Sequence, residues 1–273
     1  MKYKTIEVEV MNHVGILWLN RPEVRNALND DVMSEISVAL TSMEKDSGVR
    51  AVCLAGRGTA FCAGGDINWM KKVARYTKAQ APSTKTQAAK VRRADTFHQL
   101  HTLKKPTVAR IHGPAYAGGM GLVAACDIAV ASMDATFCLS EVKLGLIPAT
   151  ISPYVIRAMG ERMASRYFLT AERFDAAEAY RIGFIHEITP PGELDAKVND
   201  VLGHLILGGP RALEESKKLI GLSGGTKLTP AVRSETVKRI AAARASAEGQ
   251  EGMASFLQKR KPRWVTALKL GDE

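Results

Sequence analysis

Cysteine is scarce in this chain, four residues in 273, and none stands in a C-x-x-C or metal-ligand spacing. Cys53, Cys62, Cys126 and Cys138 sit in apolar or glycine-rich surroundings, so reduced thiols are expected, with neither disulfide stapling nor a structural zinc. Long apolar runs are lacking too, for no stretch approaches the roughly 18 residues of a membrane span. The opening MKYKTIEVEV alternates like a strand and has no basic cap, apolar run or small-residue cleavage site, from which a cytoplasmic protein is expected. His98, His101, His112, His186 and His204 are scattered or lack metal-ligand context, so no metal is expected.

What the chain does have is length for a substantial core and a net charge of +10 that is unevenly placed. Lys71 to Arg110 holds eleven Lys/Arg against one acid, Asp95, and so accounts for the whole excess. Such a run steers a polyanion, whether nucleic acid or the phosphates of a nucleotide cofactor, or is simply a solvated helix face. Aromatic interleaving in it is thin, Tyr76 and Phe97, which argues against stacking on single-stranded bases.

Val14–Leu19 (VGILWL) and Val49–Leu54 (VRAVCL) are β-branched apolar runs and read as buried strands. Asn29 to Met43 between them repeats apolar residues at helical spacing. A second unit follows the basic segment, with strand Thr107–Ile111, helix Gly118–Cys126, and strands Ile128–Ala131 and Thr136–Leu139. Both units place a glycine-rich turn after a strand, GRGTAFCAGGD at 56–66 and HGPAYAGGMG at 112–121, and such turns expose backbone N–H groups. Ser152-Pro153 reads as a cap and first turn of a helix that closes on Gly160; short helices follow over Glu161–Leu169 and Ala176–Ile182, then a late strand FIHEI. The chain after Pro210 reads as wholly helical, an arm or assembly surface. Residues 71–96, rich in Ala, Lys and Thr, read as a helix or loop over a site.

Two glycine turns and one carboxylate form the strongest constellation. An oxyanion needs two donors aimed at one point with a proton-handling group beside them, and Gly65, Gly118 and Glu141 supply those parts. Gly118 also opens a helix, which adds the positive end of its dipole. Two other patterns mislead. GMGLVA at 119–124 fits a dinucleotide fingerprint, yet six residues with a proline separate it from its strand. GLSGG at 221–225 fits a nucleophile elbow but follows a helix.

AFCAGGDI at 60–67, KPTVARIHGPAYAGGMGLVAACDIAVAS at 105–132 and SEVKLGLIP at 140–148 resemble the signatures of the enoyl-CoA hydratase/isomerase (crotonase) superfamily. LNRPEVRNALN at 19–29 and LTAERFDAAEAYRIGFIHEI at 169–188 match in order as well. The resemblance implies an α/β fold, the crotonase (ClpP-like) spiral of repeated ββα units with a helical C-terminal region, divided as a core over 1–205 and a trimerisation region over 206–273. It implies an acyl-CoA substrate, no cofactor beyond the CoA of that substrate, and assembly as a homotrimer or dimer of trimers. The amides of Gly65 and Gly118 then form the oxyanion hole, and Ala63, Gly64, Gly65, Asp66 and Ile67 receive the CoA, with Arg25 near its phosphates. Trp69 and Met70 line the acyl pocket or pack a helix.

Glu141 falls on one of the family's two catalytic glutamates, and Gly121 occupies the position of the other. A single carboxylate keeps isomerisation of an enoyl thioester open beside hydration. GLIPATISPYVIRAMGER resembles methylglutaconyl-CoA hydratases and related hydratases of branched, carboxylated acyl-CoAs, so addition of water to a branched or carboxylated 2-enoyl-CoA is the preferred expectation. A cation should then meet the distal carboxylate, with Lys143 or a basic residue of 71–93 as candidates.

Overall fold

The computed structural model describes residues 2–72, 95–225 and 227–267. An antiparallel hairpin starts the main sheet, β1 (Ile6–Met11) with β2 (Val14–Leu19), and strands β3 (Ala51–Gly56), β4 (Thr107–Ile111), β6 (Ile128–Ser132) and β9 (Glu187–Thr189) extend it in parallel in the order β1-β2-β3-β4-β6-β9. β3 is buried at every position, as a central parallel strand covered on both faces must be. Its Val52 and Leu54 face α1 (Asp30–Lys45), while Ala51 and Cys53 join Val14, Val108 and Val130 under a helix at Leu194–Leu207.

The end of α1 is set by Asn29, whose side chain accepts the Val32 N–H at 3.0 Å, with Asp30 and Asp31 complementing the helix dipole in the first turn. A smaller sheet holds β5 (Ala115–Tyr116), β7 (Thr136–Cys138) and β8 (Phe174–Asp175), β5 parallel and β8 antiparallel to β7. The helices after α1 that carry labels are α2 (Gly118–Ala125), α3 (Ser152–Thr170), α4 (Ala176–Arg181), α5 (Leu194–Leu207), α6 (Pro210–Ser223), α7 (Pro230–Ala245), α8 (Ala247–Leu257) and α9 (Arg263–Thr266). Residues 95–102 are also helical.

Four details differ from the expectations above. The turn at 112–121 contains β5, too short to show a period. β8 likewise rests on a dipeptide. The late strand lies at Glu187–Thr189, with Phe184 and Ile185 buried in the approach to it. Ser152 is not the side-chain cap of α3; its hydroxyl donates to Ala149 O at 2.9 Å, and the flanking residue is Ile151. Gly160 does interrupt α3, at φ 77° and ψ 158°. The helical C-terminal region runs from α6 onward, and α5 before it packs against β3, β4 and β6. The expected cover at 71–96 and most of the basic run fall at 73–94, outside the described residues. No described helix is long and apolar enough to cross a membrane.

Candidate active site

The site begins where three stretches of chain lie side by side. Leu28 donates to Gly64 O at 2.7 Å and accepts from Asp66 N at 3.0 Å, while Ala63 N reaches Arg25 O at 2.9 Å. On the other flank Cys62 N donates to Pro114 O at 3.0 Å and Tyr116 N returns to Cys62 O at 2.9 Å. The two glycine turns are thereby joined at short range. Glycine is needed at 64, where φ is +97° and a Cβ would meet Ala117 Cβ at 3.0 Å and Tyr116 O at 3.1 Å.

The 21–26 turn is held to the same ladder by Asn26, whose amide donates to Arg57 O and Ala60 O, both at 2.8 Å, and whose carbonyl accepts Arg21 N–H at 2.8 Å. Arg21 reaches Ala27 O at 2.7 Å and pairs with Asp66 at 2.9 Å. Burial presses the Asp66 carboxyl upward, but the Trp69 N–H and the Arg21 guanidinium outweigh it and hold the group below the usual carboxylate range.

Pairing of β5 with β7 brings the carboxylate to the amides. Tyr116 is opposite Cys138, and Ala117 N donates to Cys138 O at 2.8 Å, so that Gly118, at the start of α2, and Glu141, just past β7, leave the small sheet at the same end. Ala63, Gly65, Trp69, Met70, Gly118 and Glu141 all line one cleft of about 320 Å³. Among the described residues the Gly65 and Gly118 amides meet no protein acceptor. Gly118 is the first residue of α2, whose leading N–H groups have no partner within the helix. Two unengaged donors and one helix dipole therefore share a cleft with one acid.

Glu141 is the one acid among the described residues that line this cleft. Its Oε2 is buried without a hydrogen-bond partner, and burial pushes its carboxyl above the ordinary glutamate value. A carboxyl in that state takes and returns a proton more readily than a fully solvated one at neutral pH.

Other expected residues fall elsewhere. Gly121 does not line the cleft: it is buried in α2, and a Cβ there would overlap Ile151 Cγ2 and lie 2.8 Å from Ile151 Cβ and 3.0 Å from Phe97 Cε1. The position is not an open slot for a second acid, because apolar side chains fill it. Lys143 is exposed and absent from the lining. Arg25 is exposed on the neighbouring turn in the left-handed region, Ile67 is 69% exposed, and the Asp66 carboxylate is occupied as described. Trp69 is held by its Nε1 donating to Asp30 at 3.0 Å.

Sequence reasoning missed Phe97, Leu144, Leu146, Ile147 and Ile151, which supply much of the apolar wall. Leu146 and Ile147 are 51% and 75% exposed, and the signal for them was an apolar pair just after the acid with no helical or strand period. For Phe97 and Ile151 no local signal existed, since both are read as core until the helix 95–102 and the start of α3 are brought together.

Residues 9–267 match the enoyl-CoA hydratase/isomerase family. A relative from Thermus thermophilus is 35% identical over 259 residues, which cover 95% of this chain and 100% of that protein. The crotonyl-CoA hydratase of Syntrophomonas wolfei is 31% identical over 97% of this chain and 100% of its own length. The crystal structure of an enoyl-CoA hydratase from Shewanella pealeana superposes with a TM-score of 0.91 at 36% identity, covering 96% of this chain and 97% of that one. The α/β architecture with its helical C-terminal region is thus the crotonase fold.

Proposed function

The chain belongs to the enoyl-CoA hydratase/isomerase family, and from that premise we propose that it adds water to the double bond of a 2-enoyl-CoA, using the Gly65 and Gly118 amides and Glu141. The observation that carries this reading is the meeting, in a single cleft, of two unengaged amides and one carboxylate whose Oε2 is buried without a hydrogen-bond partner. The thioester oxygen sits between the two N–H groups and gains negative charge as water adds to C3. Glu141 takes a proton from that water and returns one to C2, so that one O–H bond and the C2=C3 π bond break, a C3–O and a C2–H bond form, and the carboxylate is regenerated. Donors of this kind are each worth about 10²–10³ in kcat where measured, because they stabilise charge that develops only in the transition state.

The substrate we favour is branched, as in methylglutaconyl-CoA-like thioesters. The apolar wall of Met33, Met70, Phe97, Leu146 and Ile151 supports the branch. The described lining offers no cation for a distal carboxylate, and the basic residues of 73–93 lie outside the described residues. Arg25, exposed beside Ala63, is assigned to the CoA phosphates, and backbone of 63–67 to the rest of the nucleotide. A homotrimer or dimer of trimers is the assembly we propose, supported by exposed apolar residues of the C-terminal helices such as Val237, Phe256 and Leu257. A single acid among the described lining residues also favours a second reading, isomerisation, in which Glu141 carries a proton between C2 and C4.

The test is to follow the conjugated thioester absorbance with crotonyl-CoA, 3-methylglutaconyl-CoA and a 3-enoyl-CoA. Loss of absorbance with either 2-enoyl thioester supports hydration. Turnover of the 3-enoyl compound alone would replace hydration by isomerisation.

A further inference from the structure

Gly121 lacks a side chain, and the space its side chain would take is held by Ile151. A Cβ at 121 would overlap Ile151 Cγ2 and would crowd Phe97 Cε1 at 3.0 Å. Ile151 and Phe97 are each 4% exposed, yet both line the cleft, so they are its floor and not its rim. Their backs are fixed. Phe97 stacks at a tilt on Tyr154 with centroids 6.2 Å apart, and Tyr154 N–H donates to Ile151 O at 3.1 Å. Gly121 is three residues along α2 from the Gly118 amide, about 4.5 Å of helix rise. The floor therefore shares the cleft with the Gly118 amide and packs on α2 within one turn of it.

We infer that Ile151, lodged on the side-chain-less Gly121, sets the length of acyl chain the cleft accepts and restricts it to short acyl groups. This rests on the reading of the cleft as an acyl-CoA site. The pair works as one unit: the glycine lets Ile151 sink against α2, and any larger residue at 121 pushes Ile151 into the acyl space. Movement toward Phe97 is opposed by close packing, for Phe97 Cε1 would itself stand 3.0 Å from a Cβ at 121.

Saturated thioesters test the inference without a reaction. Binding of free CoA, butyryl-CoA, hexanoyl-CoA and octanoyl-CoA to the full chain is measured by calorimetry for the wild type, Ile151→Ala, Ile151→Val, Gly121→Ala and the Gly121→Ala/Ile151→Ala double variant. The wild type should bind butyryl-CoA at least as tightly as hexanoyl-CoA. Ile151→Ala should raise the hexanoyl-to-butyryl affinity ratio by about tenfold, the gain expected from burying two more methylenes. Ile151→Val should raise it by less, and serves if the alanine variant does not fold. Gly121→Ala should weaken butyryl-CoA several-fold while leaving free CoA unchanged, and the double variant should recover it. A ratio within twofold of the wild type in a folded Ile151 variant would overturn the inference, as would absence of acyl-dependent binding. These thioesters have no double bond to hydrate, so failure of the length selectivity is separate from failure of the hydration assay.

Discussion

Replacing Glu141 by Gln keeps the side chain's shape and removes its ability to take up a proton. General acid–base catalysis by a positioned group is worth about 10²–10⁴ in rate, and no other acid among the described lining residues can take over, so kcat should fall by at least about 10². The same substitution has a stability consequence of opposite sign. Burial raises the Glu141 carboxyl in the folded protein, so the folded state binds its proton more tightly than the unfolded chain does. That preference stabilises the fold fully below the unfolded value, and is lost as pH rises through the raised folded value. At neutral pH the wild type therefore holds a charge in a place that disfavours it, with Oε2 unpartnered. Glu141→Gln should melt at or above the wild-type temperature at pH 7, and the difference should shrink toward pH 4. The wild-type kcat/KM should show an acid limb above the ordinary glutamate value of 4.5, because the base must be ionised. The assay pairs kcat/KM for enoyl-CoA hydration with melting curves across that range. A Gln variant within tenfold of wild-type activity, or one that melts lower at pH 7, would refute the reasoning.

Removal of the Arg21 side chain leaves the buried Asp66 carboxylate with backbone N–H donors, those of Trp69 and Asn68, and no countercharge, and should cost about 1.5–3 kcal/mol of stability by chemical denaturation. Because the Asp66 carboxyl is held below its usual range, its contribution is present at neutral pH and lost as pH falls through the lowered value, so the penalty of Arg21→Ala should shrink in acid to what the Arg21 bond to Ala27 O contributes. All four cysteines are buried, and burial pushes the Cys53 and Cys62 thiols up to about 12. A thiol reagent at pH 8 should therefore label none of them before denaturant is added; rapid labelling of native protein would contradict this burial. Gly64→Ala, which forces a side chain into the left-handed region and against Tyr116 O, should lower the melting temperature and the hydration rate together, whereas loss of neither would show that the turn does not need glycine.

Much of the frame is legible in the sequence because its signals are local. β2 and β3 are apolar β-branched runs, α1 is a period with an asparagine cap, and the glycine turns announce themselves by composition. Gly65, Gly118 and Glu141 are readable as candidates for the same reason, and two non-local steps bring them into one cleft: the Cys62 ladder to Pro114 and Tyr116, and the pairing of β5 with β7. What escaped was set by packing across the chain. Gly121 reads as a missing acid until Ile151, thirty residues later, is found in its place. Lys143 lies two residues from Glu141, yet it is exposed outside the cleft. Asp66 belongs to a glycine-rich motif that suggests ligand binding, but its partner Arg21 lies on a different turn, and no spacing rule connects the two.

The central claim is that Gly65 and Gly118 polarise a thioester carbonyl, and infrared difference spectroscopy of carbonyl-¹³C butyryl-CoA reports it most directly. Binding to the wild type should move the labelled stretch to lower frequency than in water, and Glu141→Gln should preserve that shift while abolishing turnover. An unshifted carbonyl in the bound thioester would contradict the account.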